Sequence, residues 1–378
     1  MIDRFSAFAP LFDAFAAAGH TIWFVGGCVR DIVMGLDKVG DVDLATDARP
    51  EQTKAVLAAG GFKAFPIGER FGTITTLVDG ATVEITTFRV DEVYARASRH
   101  PEVRFGTDLR ADLARRDLSI NAMAMGADGS IVDPFDGQRA IGQRLLEVPG
   151  GGFDNTVSIL RDDPLRLLRI ARFAARFGYA PTAPTTDAAR VCAPELAHIS
   201  NERWKAELDK LWVGRSIETG LRWFAGVGGL GVLHPDAAAA APEALDTLVR
   251  RLVAAPREPL SCWTVWVDWA ADEAAAALAG AAGEEPAACS ASATEPAAWV
   301  GWFAERFRFS NRERKLVGAL LAQSRRVDAD LGADGRRAHG GGGGGGAVGA
   351  LTDARLRRVF VAVPDAWEQV YAIVAARR

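Results

Sequence analysis

The pattern of apolar and polar positions changes near residue 145. Before that point, short runs rich in β-branched and aromatic residues predict strands, and residues 50–58 predict a helix between two of them. After Ile159, apolar residues recur at spacings of three and four, which predicts helices. The predicted strands are 21–25, 42–44, 72–78, 82–88 and 131–132, and the main later helices are 160–177, 188–196, 201–213 and 245–253.

This pattern predicts an α+β fold, with an N-terminal head that combines a mixed β-sheet and helices. An all-α neck, body and tail are expected to follow. The boundaries are 1–145 for the head, 146–215 for the neck, 216–335 for the body and 336–378 for a linker and helical tail. An unbroken glycine run at 340–346 predicts a flexible segment within that linker.

Composition narrows the class of protein. The 378 residues are 49% apolar and 24% charged, which excludes a wholly disordered chain. No apolar run reaches the roughly 18 residues of a membrane span, and Asp3 and Asp13 oppose a signal peptide. Four cysteines without a CxxC pair favour a reducing cytoplasm. With a net charge of −4, a nucleic-acid binder must gather its basic residues locally.

The residues Asp41, Val42 and Asp43 form the first candidate site. Alternate residues of a strand point to one face, so both carboxylates would share a face. Such a pair suits hard cations such as Mg²⁺, and two cations can clamp the attacking and leaving oxygens of a phosphoryl transfer. The other interpretation is a solvated strand end or a turn.

Two further features lie near this pair in sequence. Gly26 and Gly27 follow a predicted strand, where backbone N–H groups can approach phosphate, and Arg30 can bind a triphosphate oxygen. A tight strand-to-helix turn would explain the same glycines. Glu84 lies inside an apolar run and is a candidate third catalytic acid, with an outward-facing polar residue as the alternative.

Five sequence motifs follow one another along the first half of the chain. They are GGCVRD, DVD, FGTITTLVDGATVEITTFR, RRDLSINA and DDPLR. Over residues 20–215 the chain resembles the bacterial class II tRNA nucleotidyltransferases, which include the CCA-adding enzymes and the related poly(A) polymerases. The remaining residues match only loosely, as a helical body and tail.

The resemblance implies template-independent addition of C, C and A to the 3′ end of tRNA, from CTP and ATP with Mg²⁺ and with release of pyrophosphate. It also implies roles for individual residues. Asp41 and Asp43 would hold the metals. The triphosphate would be bound by Gly26, Gly27 and Arg30, and the sugar and phosphates by Arg115, Arg116, Asp117 and Asn121. Asp163 and Arg166 would read the base.

The hydrogen-bonding capacities of Asp163 and Arg166 agree with a role in reading the base. An ionised aspartate only accepts and an arginine only donates, which matches the pairing edges of cytosine and adenine and opposes uracil and guanine. Asp163 precedes Pro164 and would also make a good helix N-cap. The family's motif usually begins Glu-Asp, whereas this chain has Asp162, to which we assign a supporting role only.

Other features bear on which nucleotides are added. Glu69 and Arg70 follow Gly68 where the poly(A) polymerases usually carry two basic residues. Residues 90–114 match the flexible loop with which family members switch from C to A, although an ordinary surface loop would have the same composition. CC-adding, A-adding and poly(A)-adding activities stay open. A glycosyltransferase that binds a nucleotide-sugar through DxD is the alternative from another class, but it leaves RRDLSINA unexplained.

Binding of tRNA is expected to depend on the helical part. Arg169, Arg172 and Arg176 fall on one helix face and are candidates for phosphate contacts, with a solvated basic face as the alternative. A tryptophan stripe predicts buried core rather than a base-stacking surface. Its members are Trp263, Trp266 and Trp269, with Trp299 and Trp302 nearby. The sequence does not determine the oligomeric state.

Overall fold

A computed structural model of the chain describes residues 5–36, 42–93, 102–235, 242–280, 296–338, 369–370 and 372–374. The described residues form two units: one within Met1–Arg166 and Tyr179–Cys192, the other within Leu167–Gly178 and Ala193–Arg378. A sheet-containing head followed by helices, as predicted, is confirmed. The four-part division into head, neck, body and tail stays a prediction.

A mixed sheet of six strands organises the first unit. Its order is β3-β4-β2-β1-β7-β8, with β2 and β4 parallel and all other neighbours antiparallel. The strands are β1 (Ile22–Val25), β2 (Val42–Thr46), β3 (Thr73–Val78), β4 (Ala81–Thr87), β5 (Arg89–Val93), β6 (Glu102–Phe105), β7 (Ala124–Met125), β8 (Ile131–Val132), β9 (Leu145–Leu146) and β10 (Ala180–Pro181). The pairs β5–β6 and β9–β10 form two small separate sheets.

Seven helices and the start of an eighth accompany these strands among the described residues of this unit. The helices are α1 (Ala9–Ala17), α2 (Gly27–Val33), α3 (Pro50–Ala59), α4 (Leu109–Ala114), α5 (Gly137–Gln143), α6 (Phe153–Asp162), α7 (Leu165–Phe177) and α8 (Ala183–Cys192). The predicted loop at 90–114 is therefore only partly a loop. Most of β5, β6 and all of α4 fall within it, and residues 94–101 lie outside the described residues.

The two faces of the six-stranded sheet have different characters. Phe24, Leu44 and Ile85 point to one face, where they join a buried cluster with apolar residues of α1 and α3. Because side chains alternate along a strand, the intervening residues point to the opposite face. That second face carries a smaller apolar cluster containing Val25 and Ala45, together with the polar residues that are candidates for chemistry.

The described part of the second unit is helical. After α7, its helices are α9 (Asn201–Trp212), α10 (Ile217–Gly226), α11 (Gly229–Leu233), α12 (Pro242–Ala254), α13 (Pro259–Gly280), α14 (Pro296–Arg306) and α15 (Asn311–Ala338). The glycine run and most of the predicted tail helix lie outside the described residues.

Aromatic side chains fill the core of this second unit. The prediction that the tryptophan stripe is core is confirmed, since four of its members are at most 2% exposed: Trp263, Trp266, Trp269 and Trp299. Trp263 and Trp266 stack with their ring centroids 5.6 Å apart. His234 is buried among these rings, and burial, with the positive charge of Arg306, lowers its pKa to about 3. Its imidazole is therefore neutral at physiological pH.

Candidate active site

One row of residues crosses the second face of the sheet. Asp43 of β2 pairs in register with Glu84 of β4, and Glu84 pairs with Thr75 of β3. Residues paired in this way point to the same face, so two carboxylates and a hydroxyl are neighbours. Asp43 is half-buried and Glu84 is exposed. Asp41, the other predicted metal ligand, lies outside the described residues.

Thr75 is a member of this row that sequence reasoning missed. Its side chain is 5% exposed, and within the described part of the chain its buried hydroxyl has no hydrogen-bond partner. Period-two alternation along β3 would have placed it on the face of Glu84 once the pairing of the strands was known. The pairing itself is not readable from the sequence.

The turn after β1 brings a basic group to the carboxylates. Gly26 has φ 73° and ψ −130°, a conformation that only glycine adopts readily. A Cβ atom on Gly26 would lie 3.0 Å from Nη1 of Arg116 and 3.9 Å from Oδ2 of Asp43. The absence of a side chain thus lets the Arg116 guanidinium lie against the turn. Gly27 begins α2 directly beyond it.

The side chain of Arg30 is buried. Its side chain is 4% exposed, and its guanidinium bonds Asp31 through Nε (2.8 Å) and the amide oxygen of Asn121 through Nη1 (2.6 Å). Asn121 in turn donates to Asp117 at 2.9 Å. The structure therefore brings Arg30, Asn121 and Asp117 together in one network, in which Arg30 is buried rather than presented to solvent.

Asp112 is a second residue that sequence reasoning missed. Its carboxylate accepts a hydrogen bond from Nη2 of Arg116 at 2.9 Å and one from Nε of Arg115 at 3.3 Å. Burial would raise the pKa of this carboxyl, but the two guanidinium groups hold it below its ordinary value. Residues three and four positions apart lie on one face of a helix, but this segment was predicted to be a loop, so the spacing was not recognised as a signal.

The predicted base-reading pair lies in the same unit. Oδ1 of Asp163 accepts a hydrogen bond from the backbone N–H of Leu165 at 3.2 Å, so Asp163 makes the predicted capping contact at the start of α7. Arg166 donates to the backbone oxygens of Ile159 (2.9 Å) and Arg115 (2.7 Å). Arg166 is therefore fixed against the segment that carries Arg115.

Arg169 and Arg172 have a different environment. Both belong to the second unit, where they form ion pairs with the buried Glu207 at 3.8 Å and 2.9 Å. A glutamate 35 positions beyond Arg172 could not be assigned as its partner from sequence spacing.

The donor set of the carboxylate row suits a divalent cation. Carboxylate oxygens are the ligands that Mg²⁺ prefers, and it typically uses one or two of them together with substrate phosphates. Asp43 fits this pattern as a ligand, and Glu84 adds a second carboxylate on the same face, although the described residues contain no group of three metal-ligating side chains. Cys28 is not part of this donor set, because it belongs to the apolar cluster with Phe24 and Leu44, where its thiol donates to the Val25 oxygen at 3.2 Å and burial raises its pKa to about 11.

A carboxylate row on a mixed sheet, beside a glycine turn that holds an arginine, supplies groups suited to a divalent cation and a phosphate. Residues 22–147 match the poly A polymerase head domain family. The CCA-adding enzyme of Geobacillus thermodenitrificans is 40% identical over 196 residues, which are 52% of this chain and 46% of that protein. That of Bacillus subtilis is 38% identical over 213 residues, which are 56% of this chain and 51% of that protein.

A comparison with solved structures gives the same family resemblance as the comparison of sequences. The Bacillus stearothermophilus CCA-adding enzyme, solved in complex with CTP, superposes with a TM-score of 0.69 at 27% identity, covering 98% of this chain and 78% of that one. The expected resemblance to the class II tRNA nucleotidyltransferase and poly(A) polymerase family is thus confirmed. The chain spans about half the length of the curated relatives it matches.

None of the described helices combines the length and the hydropathy needed to cross a bilayer.

Proposed function

We propose that this protein adds C, C and A to the 3′ end of tRNA, using CTP and ATP and releasing pyrophosphate. The observation that carries the proposal is the shared register position of Asp43 and Glu84, with Arg116 held against Gly26 beside Asp43. The names of the relatives support the choice of reaction, since the similar proteins described above are CCA-adding enzymes.

The reaction is attack of the RNA 3′-hydroxyl on the α-phosphorus of the nucleotide, with pyrophosphate as the leaving group. Asp43 and Asp41 would hold Mg²⁺, which when bound neutralises charge on the attacking and leaving oxygens. Glu84, exposed on the same face, orients the attacking hydroxyl by accepting its hydrogen bond. The N–H groups of the Gly26–Gly27 turn and the guanidinium of Arg116 bind the triphosphate.

The remaining residues of the network select and orient the nucleotide. Asp117 and Asn121 contact the sugar, and Arg30 fixes the Asn121 amide from below. Asp163 and Arg166 present an acceptor and donors to the base, which favours cytosine and adenine. Positioning and charge neutralisation thus provide most of the catalysis, as in other phosphoryl transfers.

We further propose that the helical part binds the tRNA, with phosphate contacts from Arg169 and Arg172. Both arginines lie beside Glu207, so a phosphate would have to compete with that carboxylate. The tRNA substrate and the buried thiols of Cys28 and Cys192 support a location in the cytoplasm.

The decisive experiment uses tRNA transcripts that end before CCA, after C and after CC, each incubated separately with labelled CTP or ATP. We expect C on the first two transcripts and A on the third. Addition of C without A would indicate a CC-adding enzyme, and addition of A alone an A-adding one. Long A tracts on unrelated RNA would indicate a poly(A) polymerase, and transfer from a labelled UDP-sugar would refute the proposal.

The site assignment is tested with Asp43→Asn. Loss of a metal carboxylate removes several kcal/mol of transition-state stabilisation, so incorporation should fall by about 10³ or more. Binding of tRNA, measured by filter retention, should be nearly unchanged. Asp79→Asn is the matched control, because Asp79 lies in the β3–β4 turn with φ 48°, where asparagine is well tolerated.

A further inference from the structure

Asp112 occupies a buried position behind the proposed nucleotide site. It lies on α4, and its side chain is 2% exposed, whereas those of Arg115 and Arg116 are 23% and 21% exposed. A buried carboxylate is costly unless charged and polar groups surround it. Here two guanidinium groups supply that compensation, with one carboxylate oxygen assigned to each.

The carboxylate also reaches a third element. The backbone N–H of Arg89, the first residue of β5, donates to Oδ1 of Asp112 at 3.1 Å. Asp112 therefore joins the end of α4 to the base of the β5–β6 pair. A carboxylate held from two directions is a rigid anchor for a flexible arginine, because it restricts the rotamers the long side chain can adopt.

The contact with Asp112 sets the orientation of the Arg116 guanidinium. Its Nη2 bonds Oδ2 of Asp112, while its Nη1 lies 3.0 Å from the position a Gly26 Cβ would take. One end of the guanidinium is thus fixed by Asp112 and the other is presented at the glycine turn, beside Asp43. Without Asp112, the side chain would keep its charge but lose this orientation.

We propose that Asp112 is a positioning residue for nucleotide binding: it holds the Arg116 guanidinium against the Gly26 turn, so that the phosphates of the incoming nucleotide meet a preoriented cation. The proposal rests on the proposed function, because it assumes that a nucleoside triphosphate binds at this turn. CTP and ATP share the triphosphate, so Asp112 acts on both equally and does not affect the choice of base.

The test measures the equilibrium Kd of CTP and of ATP by isothermal titration calorimetry, with the full chain and Mg²⁺. Asp112→Asn should weaken both nucleotides by about tenfold to a hundredfold, the value of one charge-assisted hydrogen bond. The ratio of the two Kd values should stay within about twofold. Arg116→Ala should produce a similar loss.

The double variant Asp112→Asn/Arg116→Ala separates positioning from a general structural role. If Asp112 acts through Arg116, adding Asp112→Asn to Arg116→Ala should change the Kd by no more than about twofold. Fully additive losses would overturn the proposal, as would an unchanged Kd in folded Asp112→Asn. Asp108→Ala is the matched control: it removes the N-cap of the same helix, where Asp108 accepts from Arg110 N–H at 2.9 Å, without touching Arg116, and should leave the Kd unchanged.

A second variant covers the case in which Asp112→Asn does not fold. Asp112→Glu keeps the charge but displaces the carboxylate by one methylene, so it should weaken CTP and ATP alike, and wild-type affinity in this variant would contradict the proposal. The proposed function is judged separately by incorporation into tRNA. Wild-type protein that binds CTP but extends no tRNA would refute that function, while the Kd comparison would still decide the role of Asp112.

Discussion

Replacing Gly26 by alanine is the sharpest test of the turn beside the carboxylates. The substitution has two separable effects. The first is backbone strain, because φ 73° with ψ −130° is unfavourable for any residue with a Cβ atom. The second is local displacement, because the new methyl group would lie 3.0 Å from Nη1 of Arg116 and force that side chain to move.

The two effects have different magnitudes and different readouts. Strain of this kind costs about 1–3 kcal/mol in stability, which corresponds to a fall of roughly 2–12 °C in Tm. Loss of one charge-assisted contact to the triphosphate costs about 1.5–3 kcal/mol, so kcat/KM for CTP and ATP should fall by about tenfold to a hundredfold. The assay is steady-state incorporation, well below the Tm, paired with thermal unfolding.

Gly129→Ala provides the control for strain alone. Gly129 has φ 80° in the connection between β7 and β8, and a Cβ atom there would have no neighbour within 4 Å. It should lower the Tm and leave kcat/KM unchanged. If Gly26→Ala lowers the Tm but keeps wild-type kcat/KM, the placement of Arg116 against the turn has no role in catalysis.

Two further predictions concern base selection and pH. Arg166→Ala should reduce discrimination against UTP by about tenfold to a hundredfold, measured as the ratio of kcat/KM for CTP and UTP; unchanged selectivity would disprove base reading. Burial lowers the pKa of His234 from 6.5 to about 3 in the folded state, so the unfolded chain binds a proton that the folded chain does not. The free energy of unfolding should therefore fall by up to about 1.4 kcal/mol for each pH unit from 6.5 toward 3. His234→Phe should reduce that slope in denaturant titrations at several pH values, and an identical slope would contradict the assignment.

Sequence patterns predicted much of the first unit. The runs around Asp43 and Glu84 were correctly expected to be strands, because β-branched residues and period-two alternation are local signals. In the second unit, the tryptophan stripe was correctly expected to be core, because large aromatic side chains at helical spacing are usually buried. Residues 90–114 were predicted less well, since polar composition concealed β6 and α4.

The sequence alone determined the chemistry available to this protein: acids on strands, a glycine turn, paired arginines and a helical remainder. It did so because residue type and local periodicity act over a few positions. Only the tertiary structure decided which groups meet, such as Asp43 with Glu84, Arg30 with Asn121, and Arg172 with Glu207. These partners are separated by 35 to 91 positions, and contacts over such distances depend on strand order and packing, which no local pattern encodes.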